Sequence, residues 1–347
     1  MSLTELLGVK LPIIQAPMAG AQDHRLAAAV CQSGALGSLP AGMLDANALR
    51  RELTALQALT DAPCNVNFFC HQMPAADPVR EQQWRELLQP FFTEYAIDPE
   101  NIPAGASRLP FSSEMADVLD ELRPAVVSFH FGLPAPELLA RVKSSGAKIL
   151  GCATTVAEAR WLEARGVDAI IAQGLEAGGH RGIFLDMDLS TQLSTLALVP
   201  QIVAAVSIPV IAAGGISDAA GVSAAMQLGA AGVQVGSAYL LTPESAISSV
   251  HRAALQSPDS AKTTLTTLFS GRPARGIVNQ LIRTVGAQPD QAPEFPLASA
   301  AIAPLRSAAE KLGRGDCSPL WAGQNLMGCK AVPAAQITAA LAAGLSM

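Results

Sequence analysis

The chain has 347 residues, 50% of them hydrophobic, and a formal net charge of −6 at pH 7. This length and this apolar fraction allow one large domain, or one domain with a smaller second one. No run of basic residues occurs, and the composition therefore argues against a nucleic-acid partner.

Two long stretches without charged residues lie between Asp188 and Asp218 and between Asp218 and Glu244. Proline or glutamine interrupts each of them, whereas a membrane helix needs about 20 mostly apolar residues in a row. We therefore expect no membrane partner. The N-terminus shows no apolar signal segment, and the six cysteines show neither C-x-x-C nor zinc-like spacing. These features predict free thiols and a cytoplasmic protein.

Short apolar runs alternate with helical patterns along most of the chain. This alternation predicts a parallel sheet, and eight β/α units predict a TIM (β/α)8 barrel, with a doubly wound sheet as the fallback. The eight predicted strands span residues 13–18, 35–39, 64–69, 125–131, 148–153, 169–172, 209–213 and 232–236.

Helix-start signals follow several of these strands. Asp23, Asp45 and Asp218 suit N-cap positions, and Thr155 with Glu158 matches the capping-box pattern. Two segments do not fit the repeat, although one of them contains a helical pattern over residues 79–95. We therefore predict a barrel formed by residues 1–69 and 113–242, with a smaller helical cap or substrate-binding region formed by residues 70–112 and 243–347.

The stretch AIIAQGLEAGGHRG at residues 169–182 is the first candidate site. It begins as a buried strand and continues into a glycine-rich loop that holds His180 beside Gly179 and Arg181. No regular element is predicted before about Gln192. Glycine lets a backbone approach a ligand closely, and histidine titrates near neutral pH, which suits proton transfer. A glycine-rich turn carrying a solvated histidine is the alternative interpretation.

Glycines also end the seventh and eighth predicted strands, where TIM barrels commonly bind phosphate. Gly214 and Gly215 precede a helix start, and Gly236 and Ser237 end the eighth strand. Backbone N–H groups at such turns can bind a phosphate. The alternative interpretation is that these glycines only form tight strand-to-helix turns. Because glycines occur at both neighbouring strand ends, we favour a phosphate-binding site.

Polar side chains stand at other predicted strand ends, and amide groups of this kind would bind a planar ligand such as a flavin ring. These residues are Gln15, Asn65, Asn67, Ser128, His130 and Gln173. The asparagines could instead satisfy the loop backbone, and His130 within SFHF could be a core histidine. The remaining histidines, His24, His71 and His251, are predicted to be surface residues.

Several catalytic motifs are absent. No G-x-G-x-x-G, G-x-x-x-x-G-K-[ST], H-E-x-x-H or G-x-S-x-G occurs, so neither a Rossmann site nor the other sites these motifs mark are indicated. The only lysine in a predicted strand, Lys148, stands at the start of that strand, which disfavours a Schiff-base aldolase. No metal site is predicted.

Six motifs together resemble the nitronate monooxygenases, formerly called 2-nitropropane dioxygenases. They are QAPMAG (15–20), NVNFF (65–69), AQGLEAGGHRG (172–182), AAGGI (212–216), QVGSA (234–238) and SGRPARG (270–276). AAGGI alone is shared by many phosphate-binding barrels, whereas the long EAGGHRG loop combined with the other motifs is specific. Flavin-dependent enoyl-acyl-carrier-protein reductases and a group of NADH:quinone reductases are similar.

The resemblance implies a barrel that binds FMN non-covalently, with His180 as the catalytic histidine. It implies FMN contacts at Met18, Asn67, Gln173, Gly178, Gly215, Gln234, Val235, Gly236, Ser237, Trp321 and Gln324. Substrate contacts are expected at His130 and Arg181. SFHFG, SGRPARG and WAGQ indicate the bacterial class that acts on propionate 3-nitronate. Site tyrosines are common in that class, whereas this chain has only Tyr95 and Tyr239.

The predicted function is therefore FMN-dependent oxidation of alkyl nitronates by O₂ through one-electron chemistry, with propionate 3-nitronate as the expected substrate. One alternative is an NAD(P)H-dependent FMN reductase of quinones or enoyl thioesters. Another is a flavin- or phosphate-binding barrel without catalytic activity. The sequence leaves the oligomeric state open between monomer and homodimer.

Overall fold

The computed structural model describes residues 1–102 and 108–346. Its strands are β1 (Ile13–Gln15), β2 (Gly37–Pro40), β3 (Cys64–Phe69), β4 (Val126–His130), β5 (Lys148–Ala153), β6 (Ala169–Gln173), β7 (Gly179–His180), β8 (Val210–Ala213), β9 (Gly232–Val235), β10 (Thr263–Thr266) and β11 (Ala274–Ile277).

Its α-helices are α1 (Leu3–Leu7), α2 (His24–Gln32), α3 (Ala46–Leu59), α4 (Pro78–Glu94), α5 (Ser113–Leu122), α6 (Pro136–Ser144), α7 (Val156–Glu163), α8 (Thr195–Ala205), α9 (Ala219–Gln227), α10 (Ser249–Gln256), α11 (Gln280–Val285), α12 (Ser299–Lys311) and α13 (Ala334–Ala342). None of these helices is both long enough and apolar enough to span a membrane.

Eight of the strands form one parallel sheet in the order β1-β9-β8-β6-β5-β4-β3-β2. A parallel bridge between Ile14 and Leu36 joins β1 to the segment before β2, so the two edges of the sheet meet. Across this seam the Leu36 amide donates to the Ile13 carbonyl at 2.9 Å. The sheet with its surrounding helices confirms the predicted TIM barrel, and all eight predicted strands are found within a few residues of their expected positions.

Side chains along each barrel strand alternate between two cores, as the period of two in a β-strand requires. Ile13 packs in the core between the sheet and the helices, whereas Ile14 packs in the barrel interior. Leu3 and Leu7 of α1 belong to the same interior cluster as Ile14, so α1 covers the N-terminal end of the barrel. The opposite end, where the strands finish, is where TIM barrels place their sites.

Helix starts follow the predicted capping signals. The first turns of α2, α3, α7 and α9 donate backbone N–H groups to the side chains of Asp23, Asp45, Thr155 and Asp218. Glu158 does not complete the capping box, because its buried carboxylate accepts hydrogen bonds from the amides of Thr154 (2.7 Å) and Phe184 (2.6 Å). This carboxylate therefore ties the loop after β6 to the end of β5.

A second hydrophobic core lies beside the barrel and joins the two predicted cap segments. Trp84 and Phe92 of α4 pack in one cluster with Leu281 of α11 and Leu305 of α12. The indole N–H of Trp84 donates to the Ala298 carbonyl at 3.2 Å. The described parts of the two segments are therefore packed together, although residues 103–107 and 347 of the predicted cap lie outside the described residues.

The C-terminal helix departs from the predicted domain boundary. Ile337 and Leu341 of α13 belong to the core between the barrel strands and their helices, and α13 packs against α2 and α9. This helix covers the barrel, so the predicted cap segment 243–347 extends too far towards the C-terminus. An apolar helix face is visible in the sequence, but the surface that it covers is set by tertiary packing.

Candidate active site

A cavity of about 230 Å³ lies at the C-terminal ends of the barrel strands, beside the cap. It collects most of the predicted site residues from strand ends that are distant in sequence. Those that line it are Met18, Asn67, His130, Gln173, Gly178, His180, Gly215, Gln234, Gly236, Ser237 and Trp321. Gln15, Asn65 and Ser128 are not among its lining residues.

Val235 and Gln324 are also not part of the cavity lining. The Val235 side chain packs in the barrel core, and its carbonyl accepts a hydrogen bond from the Ala16 amide at 2.8 Å. Gln324 is exposed, and its backbone amide donates to the Glu176 carbonyl at 2.9 Å. Both residues support the site through their backbones, while their side chains point elsewhere.

Arg181 is fully buried and does not line the cavity, which corrects its predicted substrate contact. Its guanidinium donates to the carbonyls of Gln173 (2.7 Å) and Gly174 (2.6 Å) and to the side-chain oxygen of Gln192 (2.9 Å). The charge is satisfied within the loop after β6. Arg181 therefore fixes the shape of the loop that carries His180.

A small antiparallel sheet holds His180 in place. β7 pairs with β11, which sets His180 opposite Ala274 and Gly179 opposite Arg275, and β11 also pairs with β10. The prediction that no regular element occurs before about Gln192 is therefore wrong. A two-residue strand is too short to show a sequence period, and its partner strand lies far along the chain.

Among the described residues, the His180 imidazole contacts the Ser270 hydroxyl, and the direction of that hydrogen bond depends on which ring nitrogen carries the proton. Its Nε2 lies 2.8 Å from the Ser270 hydroxyl oxygen, and that hydroxyl donates to the Arg272 carbonyl at 3.4 Å. A hydroxyl that donates its only proton to a carbonyl can accept one from Nε2–H. With the ring proton on Nε2, Nδ1 is the nitrogen that can accept a proton.

Aromatic rings pack around His180, which is partly buried at the cavity wall. The centroids of Phe295 and Trp321 each lie 5.4 Å from the imidazole centroid. This burial, followed by the positive charge of Arg108, holds the pKa of His180 well below its ordinary value of 6.5. The imidazole is therefore neutral at pH 7 and available as a proton acceptor.

The Gln173 and His130 side chains fix the backbone of the same loop. Gln173 Nε2 donates to the His180 carbonyl at 2.9 Å, and its Oε1 accepts from the Gly182 amide at 2.7 Å. His130 Nε2 lies 3.2 Å from the same His180 carbonyl. Burial lowers the pKa of His130 to about 3, so this ring stays neutral and donates to the carbonyl.

Two histidines that were predicted to lie on the surface are buried instead. His251 lines the cavity, and its Nε2 lies 3.1 Å from the Trp321 carbonyl. His71 packs edge-on against Phe295, with 4.7 Å between ring centroids. Their sequence positions in a helix and an insertion did not indicate burial, because residues distant in sequence cover them only after folding.

Gln234 and Gly236 show where a ligand fits. The Gln234 Oε1 atom is buried and has no hydrogen-bond partner among the described residues, and such an unpaired acceptor costs about 1–3 kcal/mol. A Cβ added at Gly236 would meet nothing closer than Ala16 Cβ at 3.4 Å and Met18 Sδ at 3.6 Å. Protein packing therefore does not require glycine at this position, and a ligand donor would satisfy Gln234.

At the other two predicted glycines, Gly178 and Gly215, the protein's own structure explains why glycine is present. A Cβ at Gly178 would lie 2.5 Å from the Gly323 amide nitrogen, and Gly215 has a φ of +72°. The Glu176 carboxylate near Gly215 is bonded to the amide (2.9 Å) and hydroxyl (2.8 Å) of Thr195. Gly236 is consequently the clearest sign of a close ligand.

The two tyrosines of the chain lie away from the cavity. Tyr239 is fully buried, and its hydroxyl lies 2.9 Å from the Thr338 hydroxyl. The Tyr95 hydroxyl donates to Asp316 at 3.1 Å. The charged side chains that do line the described cavity are Arg108, Glu176 and Arg306. Neither arginine was predicted, because each stands in a cap segment without a recognisable motif.

The closed barrel, its capped cavity and the neutral imidazole define a (β/α)8 protein with a small-molecule site at the ends of its strands. The family model described as nitronate monooxygenase matches residues 1–344, and the chain belongs to this family of oxidoreductases.

Several known proteins are similar to this chain over nearly its full length. A nitronate monooxygenase of Paraburkholderia phytofirmans is 43% identical over 98% of this chain and 93% of its own. One of Pseudomonas aeruginosa is 42% identical over 96% of each chain. A nitroalkane oxidase from Streptomyces ansochromogenes has a TM-score of 0.89 at 39% identity, covering 100% of this chain and 98% of its own. FabK from Thermotoga maritima has a TM-score of 0.74 at 26% identity, covering 100% and 96%.

Proposed function

We propose that this enzyme oxidises alkyl nitronates with O₂ in an FMN-dependent reaction, and that propionate 3-nitronate is a substrate. The observation that carries the proposal is one cavity that joins a neutral imidazole, His180, to the open turn at Gly236 and the unpaired oxygen of Gln234. The family membership supports the same activity.

The cavity residues fit FMN. The turns at Gly215, Gly236 and Ser237 would bind its phosphate through backbone N–H groups, and Gln234 would accept a hydrogen bond from it. The other proposed contacts are Met18, Asn67, Gln173, Gly178 and Trp321. When bound, FMN supplies the one-electron redox chemistry between the nitronate and O₂.

His180 determines which form of the substrate the enzyme can use. A nitronate is already deprotonated, whereas a neutral nitroalkane must first lose its α-proton to a positioned base. The neutral imidazole of His180 can accept that proton, and Ser270 holds the ring in place through Nε2. Phe69 and His130 also line the cavity, and we assign His130 a substrate contact beside its contact with the loop.

The purified protein should contain FMN and should consume O₂ when propionate 3-nitronate is added. The cofactor is identified by denaturing the protein and chromatographing the released flavin, and the activity by an oxygen electrode. Recovery of FAD, or of no flavin even after FMN has been added, would contradict the cofactor assignment. Holoprotein that consumes no O₂ with any alkyl nitronate would contradict the activity.

An NAD(P)H-dependent FMN reductase of quinones or enoyl thioesters is the competing function. The likeness to FabK, with a TM-score of 0.74, is compatible with it. The identities of 43% and 42% to nitronate monooxygenases favour nitronate oxidation.

A further inference from the structure

Two arginines of the cap line the same cavity as His180. Arg108 lies in the segment before α5, and Arg306 lies in α12. The third charged side chain of the lining is Glu176, whose carboxylate is bonded to Thr195. The cap side of the cavity therefore presents two guanidinium groups, of which Arg306 is paired with Glu310, and the barrel side contributes neutral imidazoles.

Contacts with the rings of the site place Arg108 close to the reactive region. The Arg108 guanidinium carbon lies 6.0 Å from the Phe295 centroid, and the His180 ring lies 5.4 Å from the same centroid. One phenylalanine ring therefore adjoins both groups. A short carbon chain with its reacting end near His180 could place its other end near Arg108.

Glu310 holds the guanidinium group of Arg306 in place. Its Nε donates to Glu310 Oε1 at 2.8 Å, and the Ser318 hydroxyl donates to the same oxygen at 2.7 Å. This ion pair uses Nε, and it fixes the direction of the guanidinium. The positive charges also act on their neighbours: burial and then Arg306 lower the pKa of Arg108 to about 10. Two guanidinium groups that line one cavity offer charge-assisted donors to an anionic ligand, although Glu310 balances the charge of Arg306.

We propose that Arg108 and Arg306 bind a second anionic group of the substrate, a carboxylate, and that the enzyme therefore selects carboxylated nitronates over simple alkyl nitronates. This inference rests on the proposed function, and it adds the residues that would recognise the carboxylate of the substrate. Arginine suits this task because its planar guanidinium donates to both oxygens of a carboxylate. The tyrosines of this chain lie away from the cavity, whereas both guanidinium groups line it.

The inference predicts a substrate-dependent loss in Arg108→Gln and Arg306→Gln. Losing a hydrogen bond to a charged group should lower kcat/KM for propionate 3-nitronate by about 10- to 100-fold. Propyl 1-nitronate has the same three carbons and no carboxylate, and its kcat/KM should change by less than about 3-fold. FMN content should stay constant. Arg283→Gln, at an exposed position of α11, is the matched control, and lysine at either cavity position should restore part of the loss.

A binding measurement separates this inference from the proposed function, because it needs no turnover. Succinate resembles propionate 3-nitronate in length and charge, and butyrate lacks the second charge. Calorimetry on the holoprotein should show tighter binding of succinate, and both glutamine variants should lose that preference. Equal losses on both nitronates, loss of FMN, or no succinate preference in the wild type would overturn the inference. A succinate preference in a protein that oxidises no nitronate would contradict only the proposed function.

Discussion

Replacing His180 with asparagine should lower the oxidation of neutral nitroalkanes by about 10²- to 10⁴-fold, because this is the typical cost of removing a positioned base. Oxidation of preformed nitronates should fall far less, since their α-proton is already gone. Asparagine keeps a polar group of similar size, so FMN should remain bound. The measurement is oxygen consumption with both substrate forms, corrected for flavin content.

The wild-type pH profile gives a second sign of the same role. Because burial holds the pKa of His180 well below 6.5, the base stays unprotonated, and nitroalkane activity should persist from about pH 8 to about pH 6. His251→Asn is the matched control, since it removes another cavity imidazole and should leave the ratio of the two activities unchanged. If His180→Asn lowers both activities equally, His180 orients the anion and does not abstract a proton.

Replacing Gly236 with valine should abolish FMN binding while leaving the fold intact. A Cβ at this position meets the protein only at ordinary contact distances of 3.4 Å and more, so the new side chain would occupy the space proposed for the phosphate. Alanine should weaken binding by at least about 10-fold, the value of one lost charge-assisted hydrogen bond. Titration of the apoprotein with FMN, followed by flavin quenching, measures both effects.

Gly221→Ala is the control for this experiment. It lies in α9, where a Cβ would also meet neighbours only at 3.4 Å and beyond, and it should bind FMN normally. Gly215 is a less direct test, because its φ of +72° would strain any other residue. Unchanged FMN affinity in Gly236→Val would remove the phosphate assignment.

The barrel was predictable from the sequence because each strand and helix carries local signals. Buried strands read as short apolar runs, and side chains such as Asp23 and Asp218 mark helix starts by capping free N–H groups. Residues at the strand ends, such as Asn67 and Gln234, could be grouped because the strands of a parallel barrel all finish at one end.

The contacts that the cap makes with the site were not predictable in the same way. The burial of His71 and His251 depends on segments that fold over them, and only tertiary packing brings Arg108 and Arg306 to the same cavity. Arg181 follows His180 directly, yet its side chain turns into the loop and donates to the carbonyls of Gln173 and Gly174. A residue that is adjacent to a cavity residue in the sequence therefore need not line the cavity itself.

We propose that this protein oxidises nitronates with FMN and does not use NAD(P)H as a reductant. The most direct measurement is to mix the holoprotein without oxygen, first with NADH and separately with propionate 3-nitronate, and to follow the flavin absorbance. The account predicts a rapid change with the nitronate and none with NADH. Rapid bleaching by NADH, or no change with the nitronate, would contradict it.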